Sequence, residues 1–519
     1  MSFRKNSGRL CVPVCVGRAS GLRASIARAA AVADFVEVRF DCLAAGELEK
    51  ALREVERAAG EARRPFVYTF RPAAEGGGSD SAPAERVEFW RAVARARAGG
   101  GGRPAFADVE LSLFESEHGP ALGEVVRGLD VICSYHDFGG MPADLSGLFE
   151  RMKRTPARVF KIAVAVRDAA ECAPLLRLLE QARSEGHELI AVAMGAAGAW
   201  TRVAGPSLGS FLTYGSLDAG AATAPGQLSA REMCELYRLR ELDERTAVMG
   251  LIGRPVAHSL SPRMHNAALG ARGVNAVYLP FEVADLEAFI LRLVGPRTRE
   301  VAWRALGFSV TAPHKSAVIP LLDWVEQRAR EIGAVNTISV EGGELRGYNT
   351  DSAAALAPLE GLAEVEGTRV AVVGAGGAAR AVLWALRERG ARPVVFARDE
   401  GRARALAEEF GAGSAALAGA GFGGFDVVVN ATPLGTRGAL AGETPAAAEQ
   451  LRGARVAYDL VYNPAETRFL REARRAGCAT AGGLPMLVAQ AAAQFKIWTG
   501  EEAPVAVMRA AAEAGLASE

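Results

Sequence analysis

The chain has 519 residues, more than one hydrophobic core ordinarily serves, so two to four domains are expected. Lys plus Arg number 60 and Asp plus Glu number 60, a balance without any long basic block that argues against a nucleic-acid or membrane-surface binder. An anionic ligand then has to be held by a few placed cations.

The first ten residues, MSFRKNSGRL, are too short and polar for a signal peptide, and no apolar run approaches the 18 or so residues of a membrane span, so a soluble cytoplasmic protein is expected. Alternation through Cys11-Val12-Pro13-Val14-Cys15 puts both thiols on one face of a first strand. No His or Cys cluster lies near enough to complete a zinc site, and buried free thiols in a reducing compartment are expected. Eight short apolar runs then alternate with helix-forming stretches up to about residue 240: 10–16, 35–40, 66–70, 106–111, 130–135, 159–164, 189–194 and 211–216. Eight βα units over about 230 residues is the size of a closed (β/α)8 TIM barrel. An open doubly wound sheet shows the same alternation, and the count of eight favours closure. GGGSD (76–80) and GGGG (99–102) read as loops, and 228–247 as a closing helix with a short polar joint.

Polar residues gather at one end of these runs: Glu37 and Arg39, Arg71, Glu110, then His136 with Asp137. Barrel active sites sit at the C-terminal ends of the strands, so these groups should converge on one mouth. Lys161 lies inside the apolar run VFKIAV (159–164). An ordinary strand lysine reaches solvent, but a barrel strand offers it no wet position, and burial together with nearby arginines disfavours the ammonium form. The expected result is an amine able to attack a ketone, with His136 on the neighbouring strand as proton shuttle.

EVRFD (37–41), TFRPAAEGG (69–77), SYHDF (134–138), FKIAV (160–164), MGAAGAWTR (194–202) and APGQ (224–227) together resemble the type I 3-dehydroquinate dehydratases. The resemblance implies an imine between Lys161 and the substrate ketone, proton transfer by His136, and orientation of His136 by Glu75. It also implies a carboxylate site at Arg202, with Glu37, Arg39, Arg71, Thr223 and Gln227 holding the rest of the substrate. Thr223 stands where that family usually has Ser. No metal is implied, since the imine is the electron sink.

A new strand, VMGLIG (248–253), opens a second α/β region. Ser259 and Ser261 follow it, and Ser261 reads as a helix N-cap with Pro262 at the first helical position. Lys315 after TAPH and Asp351 at the end of GYNTD suit a proton-relay pair delivered to a domain junction. Next comes RVAVV and the turn Gly374-Ala375-Gly376-Gly377-Ala378-Ala379, between a strand and an amphipathic helix. That is the setting of a Rossmann dinucleotide turn, although a tight packing turn reads alike. About twenty residues on, Arg398 and Arg402 stand where an NAD-selective fold has an acid, which favours the 2′-phosphate of NADP; Asp399 offsets part of that charge.

GLIGRPVAHSLSPRMHN (250–266), GFSVTAPHK (307–315), GAVNT (333–337), GYNTD (347–351), GAGGAARA (374–381), NATPLG (430–435) and GGLPMLVAQAAAQFKIWTG (482–500) resemble shikimate dehydrogenase. That implies Lys315 and Asp351 as the catalytic pair, and Ser259, Ser261, Thr311, Asn336 and Gln490 as substrate ligands. Gly374, Gly376, Gly377, Ala378, Arg398, Arg402, Asn430, Thr432 and Gly483 would lie at the cofactor. Ser309 replaces an Asn of many bacterial members, and His265 and His314 are read as structural.

The expected organisation is a dehydratase barrel at 1–240, a substrate-binding domain at 248–352, a Rossmann NADP domain at 353–480, and C-terminal helices at 481–519 packing back on the substrate domain. The expected reactions are consecutive: 3-dehydroquinate to 3-dehydroshikimate, then reduction to shikimate with NADPH, all on small molecules. Two further readings are a dehydrogenase half acting on quinate with NAD, and a metabolite sensor built from retired domains. The sensor fits poorly with four catalytic groups retained.

Overall fold

A computed structural model describes residues 8–98, 106–218, 220 and 223–518. They form two compact units, 1–248 with 275–304, and 249–274 with 305–519. In the first, strands β1 (Leu10–Val14), β2 (Phe35–Arg39), β3 (Phe66–Thr69), β4 (Phe106–Glu110), β5 (Val131–Asp137), β6 (Val159–Ala165), β7 (Glu188–Met194) and β8 (Thr213–Tyr214) correspond to the eight predicted runs. They are ordered β7-β6-β5-β4-β3-β2-β1-β8, and Phe211 N donates to Leu189 O at 2.9 Å just ahead of β8. The sheet is thus a near-closed parallel barrel, and the open-sheet alternative does not apply.

The period of two along each strand builds this barrel in storeys. Phe35, Val67, Phe106, Ile132, Val159 and Ile190 form an apolar floor. Two residues further along the same strands come Glu37, Thr69, Asp108, Ser134 and Lys161; two further still come Arg39, Arg71, Glu110 and His136. The polar residues therefore share the inner face with the core and lie above it.

Three expectations are corrected or fall outside view. Cys15 does not share a face with Cys11, because β1 ends at Val14. It forms a disulfide with Cys42, just past the end of the neighbouring β2, with 5.5 Å between Cα atoms, while Cys11 is a buried free thiol. The segment 228–247 is no continuous helix: a π turn (Glu232–Leu236) and a 3-10 turn (Leu239–Glu241) are separated by Arg238 at φ +53. Arg238 Nη2 donates to Ala276 O at 2.8 Å while Leu239 and Leu242 are buried, so anchoring to the rest of the unit overrides helix propensity. GGGG (99–102) lies outside the described residues, whereas 76–80 is a loop as expected.

After β9 (Ala247–Gly253), residues 275–304, including β10 (Ala276–Glu282), fold with the barrel although they fall inside the expected 248–352 span. Phe281 and Trp303 pack their rings, tilted by 57° and 51°, with centroids 5.1 and 5.4 Å from that of Trp200. The Asp168 carboxylate, just beyond β6, accepts hydrogen bonds from Ala284 N at 2.5 Å and Asp285 N at 3.1 Å.

In the second unit, β11 (Ala305–Val310), β12 (Trp324–Val325), β13 (Thr337–Glu341) and β14 (Glu344–Tyr348) lie in the order β11-β13-β14-β12. Strands β15 (Arg369–Val373), β16 (Arg392–Ala397), β17 (Gly413–Ala416), β18 (Val427–Asn430), β19 (Val456–Asp459) and β20 (Ala479–Ala481) make an all-parallel sheet ordered β17-β16-β15-β18-β19-β20. That is the doubly wound nucleotide-binding order. Helix Gly377–Glu388 buries Val382, Leu383 and Leu386 in one cluster with Val370, Val372 and Val429. The C-terminal helices Leu484–Thr499 and Val505–Ser518 both pack on helix Ser261–Arg272, and the first also touches β11 and β13. No described helix is long and apolar enough to cross a membrane.

Candidate active sites

The upper storeys of the barrel open into a cavity of about 530 Å³ including its mouth, lined among others by Glu37, Arg39, Arg71, Glu75, His136, Lys161, Arg202, Thr223 and Gln227. The nine residues to which the resemblance assigns a dehydratase role meet there, whereas Asp137, also expected at the mouth, is not among its lining residues. Glu110 does not line it; it is buried against Arg86, and burial lifts its carboxyl to about 7 despite Arg71 and Arg86.

Lys161 Nζ donates to Asp108 Oδ2 at 2.9 Å, lies 3.9 Å from Glu37 Oε1, and sits 4.2 Å above the Tyr214 ring. Its nearest charged partners are acids, where the sequence pattern had suggested arginines. Asp108, overlooked in the sequence, is fully buried and also accepts from Arg71 Nη2 at 2.6 Å. Burial pushes its carboxyl up, but Arg71 and Lys161 overcome that and hold it well below the ordinary range. The signal available was a carboxylate in the middle of the apolar run FADVE.

His136 Nδ1 lies 3.3 Å from Glu75 Oε2, and Ser112 Oγ donates to the other Glu75 oxygen at 2.9 Å. Burial, then the positive Arg71 and Lys161, drive the His136 imidazole well below its usual value, so the neutral ring is favoured. Burial raises the Glu75 carboxyl, with Arg71 opposing. Asp41, also unforeseen, takes both Arg39 nitrogens (2.8 and 2.6 Å) and the amides of Arg71 (3.1 Å) and Gly78 (2.9 Å), fixing the rim.

Arg202 is 2% exposed, and among the described residues its guanidinium hydrogen-bonds the carbonyls of Tyr214 at 3.4 Å and Pro225 at 3.3 Å. Its Nε has no acceptor, and burial alone lowers its pKa to about 10. A buried guanidinium without an anion, facing a cavity, is the complement of a ligand carboxylate. Beside it, Gln227 Oε1 accepts from Thr223 N at 2.7 Å and from its hydroxyl at 3.2 Å.

In the second unit, Lys315 Nζ donates to Asp351 Oδ2 at 2.5 Å, and Asn336 Nδ2 donates to Asp351 Oδ1 at 2.8 Å. Three of the predicted residues thus form one cluster. Helix Ser261–Arg272 starts one residue earlier than expected: Ser261 is its first residue, Leu260 holds the cap position, and Ser259 Oγ accepts the Ser261 amide at 3.2 Å. Thr311 stands directly after β11, its N donating to Ile252 O at 2.9 Å. Gln490 is buried and its Nε2 donates to Leu487 O at 2.8 Å. His265 packs 5.3 Å from the Trp498 ring, and burial lowers its pKa to about 3.

The glycine turn abuts this cluster. A Cβ on Gly377 would stand 3.2 Å from Lys315 Cδ, and one on Gly374, at φ +128, would meet Ala431 O at 2.8 Å. Helix Gly377–Glu388 begins with no side-chain cap, so its first amides are open to a ligand. This cradle fits a dinucleotide pyrophosphate. Arg398 is exposed at the end of β16, while Asp399 caps helix Glu400–Phe410 through Arg402 N at 3.0 Å and lies 3.4 Å from Arg402 Nε. Gly483 opens helix Leu484–Thr499, where a Cβ would meet Leu460 O at 2.3 Å. Asn430 Nδ2 donates to Asp459 Oδ1 (2.9 Å) and Leu434 O (3.1 Å), and its Oδ1 accepts from Thr432 N and Oγ1 (3.0 and 2.6 Å). Asn430 thus shapes the loop after β18 with both ends of its amide engaged.

The family model of type I 3-dehydroquinase matches residues 10–244, that of the shikimate dehydrogenase substrate binding domain residues 251–338, and that of the shikimate 5′-dehydrogenase C-terminal domain residues 483–513. The chain is 33% identical to the chloroplastic bifunctional 3-dehydroquinate dehydratase/shikimate dehydrogenase of Arabidopsis thaliana, covering 96% of this chain and 83% of the relative. It is 47% identical to the shikimate dehydrogenase (NADP(+)) of Moorella thermoacetica, over 51% of this chain and 91% of that one. The solved structure of shikimate 5-dehydrogenase from Thermus thermophilus in complex with NADP(H) and shikimate is 41% identical with a TM-score of 0.47, covering 52% of this chain and 100% of that chain.

Proposed function

The chain belongs to the family of fused type I 3-dehydroquinate dehydratase/shikimate dehydrogenases, and from that premise we propose that its barrel converts 3-dehydroquinate to 3-dehydroshikimate and its second half reduces that product to shikimate with NADPH. The observation that carries the first reaction is the grouping of buried Lys161, the His136–Glu75 pair and the anion-free Arg202 around one cavity.

In this reading Arg202 takes the substrate carboxylate and brings the ketone to Lys161. The amine adds to the carbonyl and water leaves, giving an iminium that withdraws electrons from the adjacent C–H bond. His136, favoured as the neutral base, removes that proton, and the hydroxyl across the new double bond departs with the proton returned by His136. Hydrolysis of the imine then frees the amine and the enone. Asp108 holds the Lys161 side chain in place for addition, His136 takes the lysine's surplus proton and hands it to the departing water, and Glu75 keeps the imidazole facing the substrate.

In the second half, Lys315 and Asp351 would hold the reacting oxygen and move its proton. Ser259 and Ser261 would take the carboxylate, and Thr311, Asn336 and Gln490 the ring hydroxyls. When bound, NADPH supplies a hydride. Gly374, Gly376, Gly377 and Ala378 would receive its pyrophosphate and Arg398 its 2′-phosphate, with Arg402 restrained by Asp399. The NADP dependence named for the Moorella relative supports that cofactor.

Supplying 3-dehydroquinate and NADPH to the purified chain should discharge the nicotinamide absorbance without another enzyme. Repeating the assay with shikimate or quinate against NADP or NAD ranks the alternatives. Persistence of NADPH in the first mixture defeats the coupled reading, and absence of a borohydride-trapped adduct on Lys161 defeats the imine.

A further inference from the structure

We infer that Gln494 is a positioning residue for the Lys315–Asp351 pair, acting through Thr337 and Asn336; this rests on the dehydrogenase reading above. Gln494 lies one helical turn beyond Gln490 on helix Leu484–Thr499 and is 1% exposed, so it acts from behind the site. Its Nε2 donates to Asn336 O at 3.1 Å and to Thr337 Oγ1 at 3.0 Å, and its Oε1 accepts from Ser309 Oγ at 2.8 Å. A backbone carbonyl only accepts, so the end facing Asn336 O has to be the NH₂ group.

The next link is fixed in the same way. Thr337 Oγ1, receiving from Gln494, donates its one proton to Asn336 Oδ1 at 2.7 Å. The amide of Thr350, a donor only, points at the same oxygen at 2.8 Å. With Oδ1 held by two donors, Asn336 turns its NH₂ to Thr350 Oγ1 at 2.9 Å and Asp351 Oδ1 at 2.8 Å. The remaining Asp351 oxygen then faces Lys315 Nζ at 2.5 Å. An unbroken run of directed hydrogen bonds thus leads from Ser309 to the catalytic lysine, with Gln494 linking its helix to Asn336, just ahead of β13, and through it to Asp351, which opens the short helix Asp351–Ala354 beyond β14. Ser309, the position that departs from many bacterial sequences, is the residue that donates to the Gln494 oxygen.

The test is Gln494→Met, which keeps length and loses the polar ends, with Thr337→Val and the double variant, assayed for shikimate oxidation. The expected result is a kcat about tenfold lower in each single variant, a KM for NADP within about twofold of wild type, and a double variant no worse than either single. Dehydratase turnover of the same chains should not move. Ser309→Ala, which removes one hydroxyl, should lower kcat about threefold and serves where Gln494→Met does not fold. Hydrogen exchange of the Thr350 amide should quicken about tenfold in Gln494→Met, whether or not turnover is measurable. Unchanged kcat, multiplicative losses in the double variant, or an unaltered Thr350 amide would overturn the inference. Failure of the dehydrogenase reading looks different: the wild-type chain itself would not oxidise shikimate.

Discussion

Asp108 is shared between two buried cations, one carboxylate oxygen on Arg71 Nη2 at 2.6 Å and the other on Lys161 Nζ at 2.9 Å. Neutralising it leaves both cations buried beside an amide that satisfies at most one of them. Asp108→Asn should therefore cost about 3–5 kcal/mol of barrel stability and reduce dehydratase turnover at least about tenfold. Urea unfolding and initial rates read the two effects; a variant of wild-type stability would show that the carboxylate is not needed to balance the pair.

Arg202 presents the opposite economy, a buried charge with no anion beside it among the described residues. Arg202→Met should raise the KM for 3-dehydroquinate about a hundredfold through loss of a bidentate carboxylate contact, while raising the melting temperature because a desolvated cation is gone. Calorimetry set beside kinetics separates the two directions. A melting temperature that falls would mean the guanidinium serves the fold.

Acid should weaken the second unit through His265. Its folded pKa of about 3 lies below the unfolded value near 6.5, so below pH 6.5 the unfolded chain takes a proton that the folded chain refuses, and stability falls with pH. Between pH 7.5 and 5.0 this group should remove about 2 kcal/mol. Glu110 at about 7 and Asp459 at about 6 act with the opposite sign, since each folded carboxyl binds its proton first. The readout is consequently the difference between wild type and His265→Gln, which should lose this part of the slope; identical pH profiles would discard the assignment.

The Cys15–Cys42 bridge should be recoverable by peptide mapping without reductant. Closing a separation of 27 residues, it should contribute about 3 kcal/mol to the barrel. Denaturant midpoints of the Cys15→Ala/Cys42→Ala variant against wild type measure that contribution, and equal midpoints with and without a dithiol reductant would contradict it.

The fold was legible wherever burial imposes a period. Eight apolar runs, each buried on both faces of a parallel strand, announced the barrel, and RVAVV with its glycine turn announced the nucleotide sheet. Site residues on the upper storeys were legible because polar groups at strand ends broke that pattern. Asp108 escaped notice since a single acid inside FADVE resembles a strand interruption until Lys161 and Arg71 are seen opposite it. Cys42 and Gln494 were invisible for another reason: their partners, Cys15 and the Ser309–Asn336–Thr337 group, are distant in sequence, and no local period encodes such pairings. Arg238 broke the expected closing helix because its contact with Ala276 is likewise long-range.

The ring cluster of Trp200, Phe281 and Trp303 and the seat of Asp168 on residues 284 and 285 bear on any attempt to take the polypeptide apart. Scissors applied at residue 245, where the match to the dehydratase family stops, would strip an indole of its cover and leave the Asp168 carboxylate without two of its three amide donors. The severed barrel would carry a raw apolar scar two residues from Arg202, prone to self-association. A clean excision has to carry residues 275–304 along, which a simple cut in the chain does not allow.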